Sequence, residues 1–316
     1  MFITGCLHYN IKDPIPSSID YDIKDSPALS LTIIDKRTGD DAAFMLQQLG
    51  VGATMTKDVI VFLDNIKDPI SYLAKHLENE FRSRKMPITC IVGQAPAGGI
   101  TLIINRYQIA NLRTTGFSPW ESFHIFSGTI IKDGRETKIK SYFYNGRMPV
   151  WSMNEIEEPC FTIPMSIMIK DIASKVNQVV LNLRTPDEKV NRMTAEIDSD
   201  VSKNIFANFW RVLELGYTNN PKAVEPLAKY AQIGAADEFF KSCALSSIGT
   251  LGAVDRLEFL KIQFRNSGTF NDRYMAAKAI GDIGTPEALQ FLQSLKKESA
   301  YEKEGGLKYC VDLYAP

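Results

Sequence analysis

The chain has 316 residues and a formal net charge of −1, with 45% apolar and 23% charged side chains. That length exceeds what one small core needs, and that composition is globular rather than disordered. Without a basic stripe it does not read as a nucleic-acid binder, and no window holds the ~18 apolar residues of a membrane span.

Phe2 to Tyr9 reads as a first strand. Ile3-Thr4-Gly5-Cys6 resembles a bacterial lipobox. No basic end or apolar leader precedes the cysteine, so a cytoplasmic protein is expected, with a lipid anchor at Cys6 the alternative if the true start lies upstream. The five cysteines (6, 90, 160, 243 and 310) form no C-x-x-C pair and read as reduced thiols. Lys12 to Pro27 reads as a Pro/Asp/Ser-rich tether. Its Asp20, Asp22 and Asp25 lack the glycine and distal glutamate of a calcium loop.

Strand runs follow at 29–34, 59–63, 88–92 and 100–107. Asp40 to Leu49 reads as a short amphipathic helix stopped by Gly50. Asp68-Pro69 opens a helix with Ile70, Leu73, Leu77 and Phe81 on one face. This alternation predicts parallel pairing with helices on the sheet. Gly93 to Gly99 lacks the Lys-Ser/Thr of a phosphate loop and reads as a hairpin connection. Asp35 and Asp64 each follow a strand, where α/β sheets place ligands. If the two strands are adjacent, the carboxylates could share a divalent ion, with Asn65 or Gln94 nearby. Both are more readily read as loop or capping aspartates.

Phe123–Ile131 and Thr137–Tyr144 flank Asp133-Gly134, the signature of a two-residue hairpin turn. Phe161–Ile169 and Val179–Leu183 read as further strands. His8, His76 and His124 have no ligand spacing. A pair of Cys90 with His76 or His124 would have to be made by the fold. Trp120, Tyr142, Tyr144 and Trp151 read as core or hairpin packing, and residues 186–203 as a linker.

Beyond residue 204 the chain repeats. Ala244-Leu-Ser-Ser-Ile-Gly-Thr-Leu-Gly252 is echoed by Ala276-Ala-Lys-Ala-Ile-Gly-Asp-Ile-Gly284, and Leu257, Phe259 and Leu260 by Leu289, Phe291 and Leu292. Self-similarity at a fixed period marks a solenoid. A looser copy precedes, with Phe209, Val212, Leu213, Leu215 and Gly216, then Asn220-Pro221, Val224, Leu227 and Ala228. A closing helix is expected over about 300–314. Gly284 should end its helix in the left-handed conformation, and Thr285-Pro286 should open the next.

Asp272, Ala276, Ile280, Gly281, Ile283, Gly284, Leu289 and Leu292 resemble the HEAT repeat family in its short bacterial, phycobilisome-lyase-like form. In the preceding copy Phe240 stands at the family's Asp position, and Asp237 is the candidate cap. The resemblance implies about three helical hairpins. The expected architecture is therefore an α/β (or α+β) domain with a mixed sheet over 1–185, a linker over 186–203, and an all-α HEAT-like solenoid over 204–316. It also implies a protein-interaction scaffold or adaptor. Its second helices would present Lys222, Glu225, Lys229, Arg256, Lys261, Gln290, Gln293 and Lys297 to a protein partner, and self-association is left open. No cofactor is implied. The alternatives are an enzyme with Asp35 and Asp64 at its site and the repeats as a targeting arm, and a chromophore-lyase-like factor.

Overall fold

The structure, a computed structural model, describes residues 6–23, 27–47, 60–94, 99–113, 118–200, 205–233 and 238–316. The chain divides into two compact units. One holds Met1–Pro16, Leu29–Asn79 and Ile88–Ile172; the other holds Ser17–Ala28, Glu80–Pro87 and Ala173–Pro316.

The first unit is built on a mixed sheet, as expected. Its strands are β1 (Cys6–Tyr9), β2 (Leu29–Asp35), β3 (Met45–Gln47), β4 (Ile60–Leu63), β5 (Ile88–Val92), β6 (Ile100–Leu112), β7 (Trp120–Lys132) and β8 (Arg135–Arg147). Six form one sheet in the order β5-β2-β6-β7-β8, with β3 also on β6, while β1 and β4 form a separate parallel pair. β2 is parallel to both β5 and β6, and β6, β7 and β8 are antiparallel. Helix α1 (Pro69–Ser83) buries Ile70, Leu73, Leu77 and Phe81, one apolar stripe at helical spacing. In the β7–β8 turn, Asp133 and Gly134 both take positive φ, at 51° and 73°, as a type I′ hairpin turn demands.

Three local expectations are corrected. Residues 39–42 form a 3-10 turn and Met45–Gln47 a strand in place of the helix expected over 40–49; Gly50 lies outside the described residues. The pairing of Met45 and Leu46 with Ile109 and Ala110 of β6 overrides a weak helical pattern. The 93–99 segment is not a hairpin, because it joins two strands that are both parallel neighbours of β2. The strands expected at 161–169 and 179–183 are instead a π-helical turn (Glu158–Thr162) and helix α2 (Ile163–Val180). α2 is buried along most of its length, its Ser166, Lys170, Ser174 and Asn177 included. A buried helix lacks the polar face that separates helix from strand in a sequence.

The second unit is helical: α3 (Asp187–Asp200), α4 (Ile205–Tyr217), α5 (Val224–Tyr230), α6 (Glu238–Thr250), α7 (Leu257–Asn266), α8 (Phe270–Ile283), α9 (Pro286–Leu295), α10 (Ser299–Lys303) and α11 (Gly305–Tyr314). α3 occupies residues read as linker. The first helices of successive hairpins, α4, α6 and α8, pack side by side, and α11 follows α8. Glycine makes this approach possible. A Cβ on Gly216 would stand 2.5 Å from the Ser247 Cβ, one on Gly249 2.3 Å from the Ala279 Cα, and one on Gly281 2.2 Å from the Tyr314 Cγ. Gly284 ends α8 at φ 64°, and the Thr285 hydroxyl accepts from the Ala288 amide to start α9. Thr269 caps α8 in the same way, while Asp237 lies outside the described residues. No helix among the described residues is long and apolar enough to cross a membrane.

Candidate functional site

Asp35 and Asp64 are not neighbours in one sheet. Asp35 ends β2 of the six-stranded sheet and Asp64 follows β4 of the separate pair, so the adjacency that a shared ion required is not met. Arg37 grips Asp35 with a fork: Nε and Nη2 donate to Oδ1 and Oδ2 at 2.9 and 3.0 Å, and the Arg37 amide donates at 3.1 Å. These bonds hold the Asp35 carboxyl below the usual carboxylate range. Asp64 lies 2.9 Å from Nδ1 of His8, whose ring stacks on Phe62. Asn65 is occupied by the backbone of Ile11 in both directions.

The other titratable candidates are also dispersed. His76 packs against Tyr72 with the rings tilted at 52° and their centroids 4.3 Å apart. His124 is fully buried, its Nε2 2.8 Å from the Cys160 carbonyl, and burial pushes its pKa down to about 4. Cys90 lies on β5, where its amide donates to Glu78 at 2.9 Å and burial pushes its thiol up to about 12. That is the opposite of an activated nucleophile. Among the described residues no three His, Cys, Asp or Glu side chains gather as a metal site.

The second unit holds a charged cluster that the sequence reading missed. Arg84 is fully buried. Its Nε donates to Glu80 at 2.7 Å, and Nη1 donates to Ser174 at 2.6 Å and to Tyr21 at 3.2 Å. Glu80 in turn accepts from the amide and hydroxyl of Ser17. The Pro/Asp/Ser-rich stretch is therefore anchored rather than a free tether over 17–22. A fully satisfied buried pair of this kind is structural.

The residues expected to meet a partner lie on the more exposed second helices of the hairpins, the outer helices α5, α7 and α9, and in the turns beside them. Lys222 pairs with Asp187 at 2.8 Å and Lys229 with Asp198 at 3.0 Å. Arg256, just before α7, pairs with Glu225 of α5. Lys261 of α7 reaches Glu258 at 2.6 Å and Glu287 of α9 at 2.5 Å, and Arg265 reaches Glu298 at 2.8 Å. The ladder had a sequence signal. Glu225 and Arg256 are 31 residues apart and Arg265 and Glu298 33, each one residue off the spacing of the matched glycines Gly252 and Gly284, with the charge reversed. Gln290 and Gln293 are exposed on α9, and Lys297 in the turn after it. Val254 and Ile262 add exposed aliphatic surface beside the ladder. At the Lys222 end, residues 182–187 and 220–222 with Asp22 line an open cleft of about 510 Å³.

Residues 272–298, which span α8 and α9, match the family model described as PBS lyase HEAT-like repeat. No curated protein matches the chain. One solved structure, described as that of an uncharacterized protein, is similar over 55% of this chain and 99% of its own, at 10% identity and a TM-score of 0.34.

Proposed function

We propose that this protein is an interaction module that docks a protein partner on the outer helices of its HEAT-like array. One observation carries the reading. α5, α7 and α9 form a ridge whose charges are tied in pairs, while the amides of Gln290 and Gln293, the Lys297 ammonium and the side chains of Val254 and Ile262 stay exposed. A polar rim around a few apolar contacts is how non-obligate interfaces are built. In this reading the sheet unit supplies a second contact in the same assembly.

A Lys229→Ala, Arg256→Ala, Gln293→Ala triple variant tests this. It should keep its helical circular dichroism and lose a partner that the wild-type chain captures and mass spectrometry identifies. Unchanged capture of the same partner counts against this ridge. The enzyme alternative would have to work with Asp35 held by Arg37 and Asp64 on a separate pair of strands. The chromophore-lyase alternative rests on a structural unit, and fold alone does not carry a function.

A further inference from the structure

The array of the second unit is held together differently on its two sides. On the inner side, Gly216, Gly249 and Gly281 bring successive helices to within backbone contact of Ser247 and Ala279, and of the Tyr314 ring. Such contacts are short-ranged and stiff, because close-packed interiors neither compress nor stretch without loss. On the outer side, successive helices are joined by long charged side chains, half-buried cations reaching exposed carboxylates. Glu225–Arg256 joins α5 to the turn that opens α7, and Lys261–Glu287 joins α7 to α9. Pairs whose carboxylate stands in solvent are open to screening by salt and hold their geometry weakly.

The two outer gaps also differ. Between α7 and α9, Phe264 meets Phe291 edge-on at 5.6 Å and the Arg265 guanidinium lies 5.2 Å from the centre of the same ring. That contact does not depend on ionic strength in the same way. Between α5 and α7, Glu225–Arg256 is the one ion pair among the described residues, and no ring contact supports it.

We infer that the outer layer is a set of ionic clasps around an inner hinge line of glycine contacts, with the α5–α7 gap the first to open when salt or a competing charged ligand takes Arg256. The inference goes beyond the docking reading and needs no partner to be true.

The test is an electron-spin distance measurement on the full chain in a Cys6→Ser, Cys90→Ala background. Nitroxides are placed at Lys229→Cys and Ile262→Cys across the α5–α7 gap, and at Ile262→Cys and Gln293→Cys across the α7–α9 gap. Raising sodium chloride from 0.05 to 1 M should lengthen the 229–262 distance by about 1–2 Å, the scale of helix shifts in switching proteins, and the 262–293 distance by less. Arg256→Gln should show the longer 229–262 distance already at low salt and no further response. Glu225→Gln, which removes the other end of the pair, should do the same. A 229–262 distance that ignores salt overturns the inference. So does a response that survives both substitutions, or equal lengthening of both gaps.

Discussion

Gly249 of α6 faces Ala279 of α8 so closely that a methyl group on the glycine would lie 2.3 Å from the Ala279 Cα. The neighbouring atom is backbone, so relief requires the two helices to separate. Gly249→Ala should therefore destabilise the protein by ~1–3 kcal/mol, the usual cost of overpacking. Urea denaturation followed by circular dichroism measures it. Gly268→Ala, with nothing within 4 Å of the added atom, is the matched control and should change little.

Arg84 and Glu80 form a buried ion pair that also fixes Ser17 and Tyr21. Removing one partner leaves the other charged without its counterion in the interior. Arg84→Met alone should cost ~3–5 kcal/mol, and the double replacement with Glu80→Leu less than the sum of the two single changes. A double-mutant cycle from equilibrium unfolding reads the coupling, and strict additivity would show that the pair is not a unit.

His124 makes acid stability specific. Burial lowers its pKa from the ordinary 6.5 to about 4, so the folded protein holds the neutral ring where the unfolded chain takes a proton. The stability this gives is fully present above pH ~6.5 and is lost as the pH falls from there toward 4, to a total of about 3 kcal/mol. Melting temperature measured across pH 4–7 should fall less steeply for His124→Gln than for the wild type. Parallel slopes would mean that other groups set the acid limit.

The Cys90 amide donates to the carboxylate of Glu78, on the side of β5 that β2 leaves unpaired. Ile91 and Val92 on the same edge strand are exposed. An open, apolar strand edge is a template for self-association, and a carboxylate over it is a guard. Glu78→Ala should raise concentration-dependent association, read as a shift in mass by light scattering after gel filtration. A variant that stays at the wild-type mass would show that the edge is protected by other means.

The repeats were legible because their information is redundant. The same glycines and leucines recur one period apart, and each copy corroborates the other. The hairpin at Asp133-Gly134 was legible because few residue pairs tolerate two successive positive φ angles. α2 was not, since a helix buried on nearly all sides offers no polar periodicity, and its Ile and Val residues suit a strand equally well. β3 was hidden because three residues are recruited by pairing with β6, which only the fold supplies. Asp35 and Asp64 had the right position relative to their strands. What the sequence lacked was strand order, and the forked arginine two residues on from Asp35 was the overlooked local clue.

Where α11 stacks on α8, an aromatic ring takes the place that small residues hold elsewhere in the row: Tyr314 stands against Gly281 where Ser247 and Ala279 stand against Gly216 and Gly249. Its hydroxyl is tied to Asp282 at 2.7 Å, and Lys175 and Lys278 each reach the same carboxylate at 2.7 Å. Extra copies of the unit should thus be accepted by splicing them between α7 and α8, where one small-residue junction is exchanged for another.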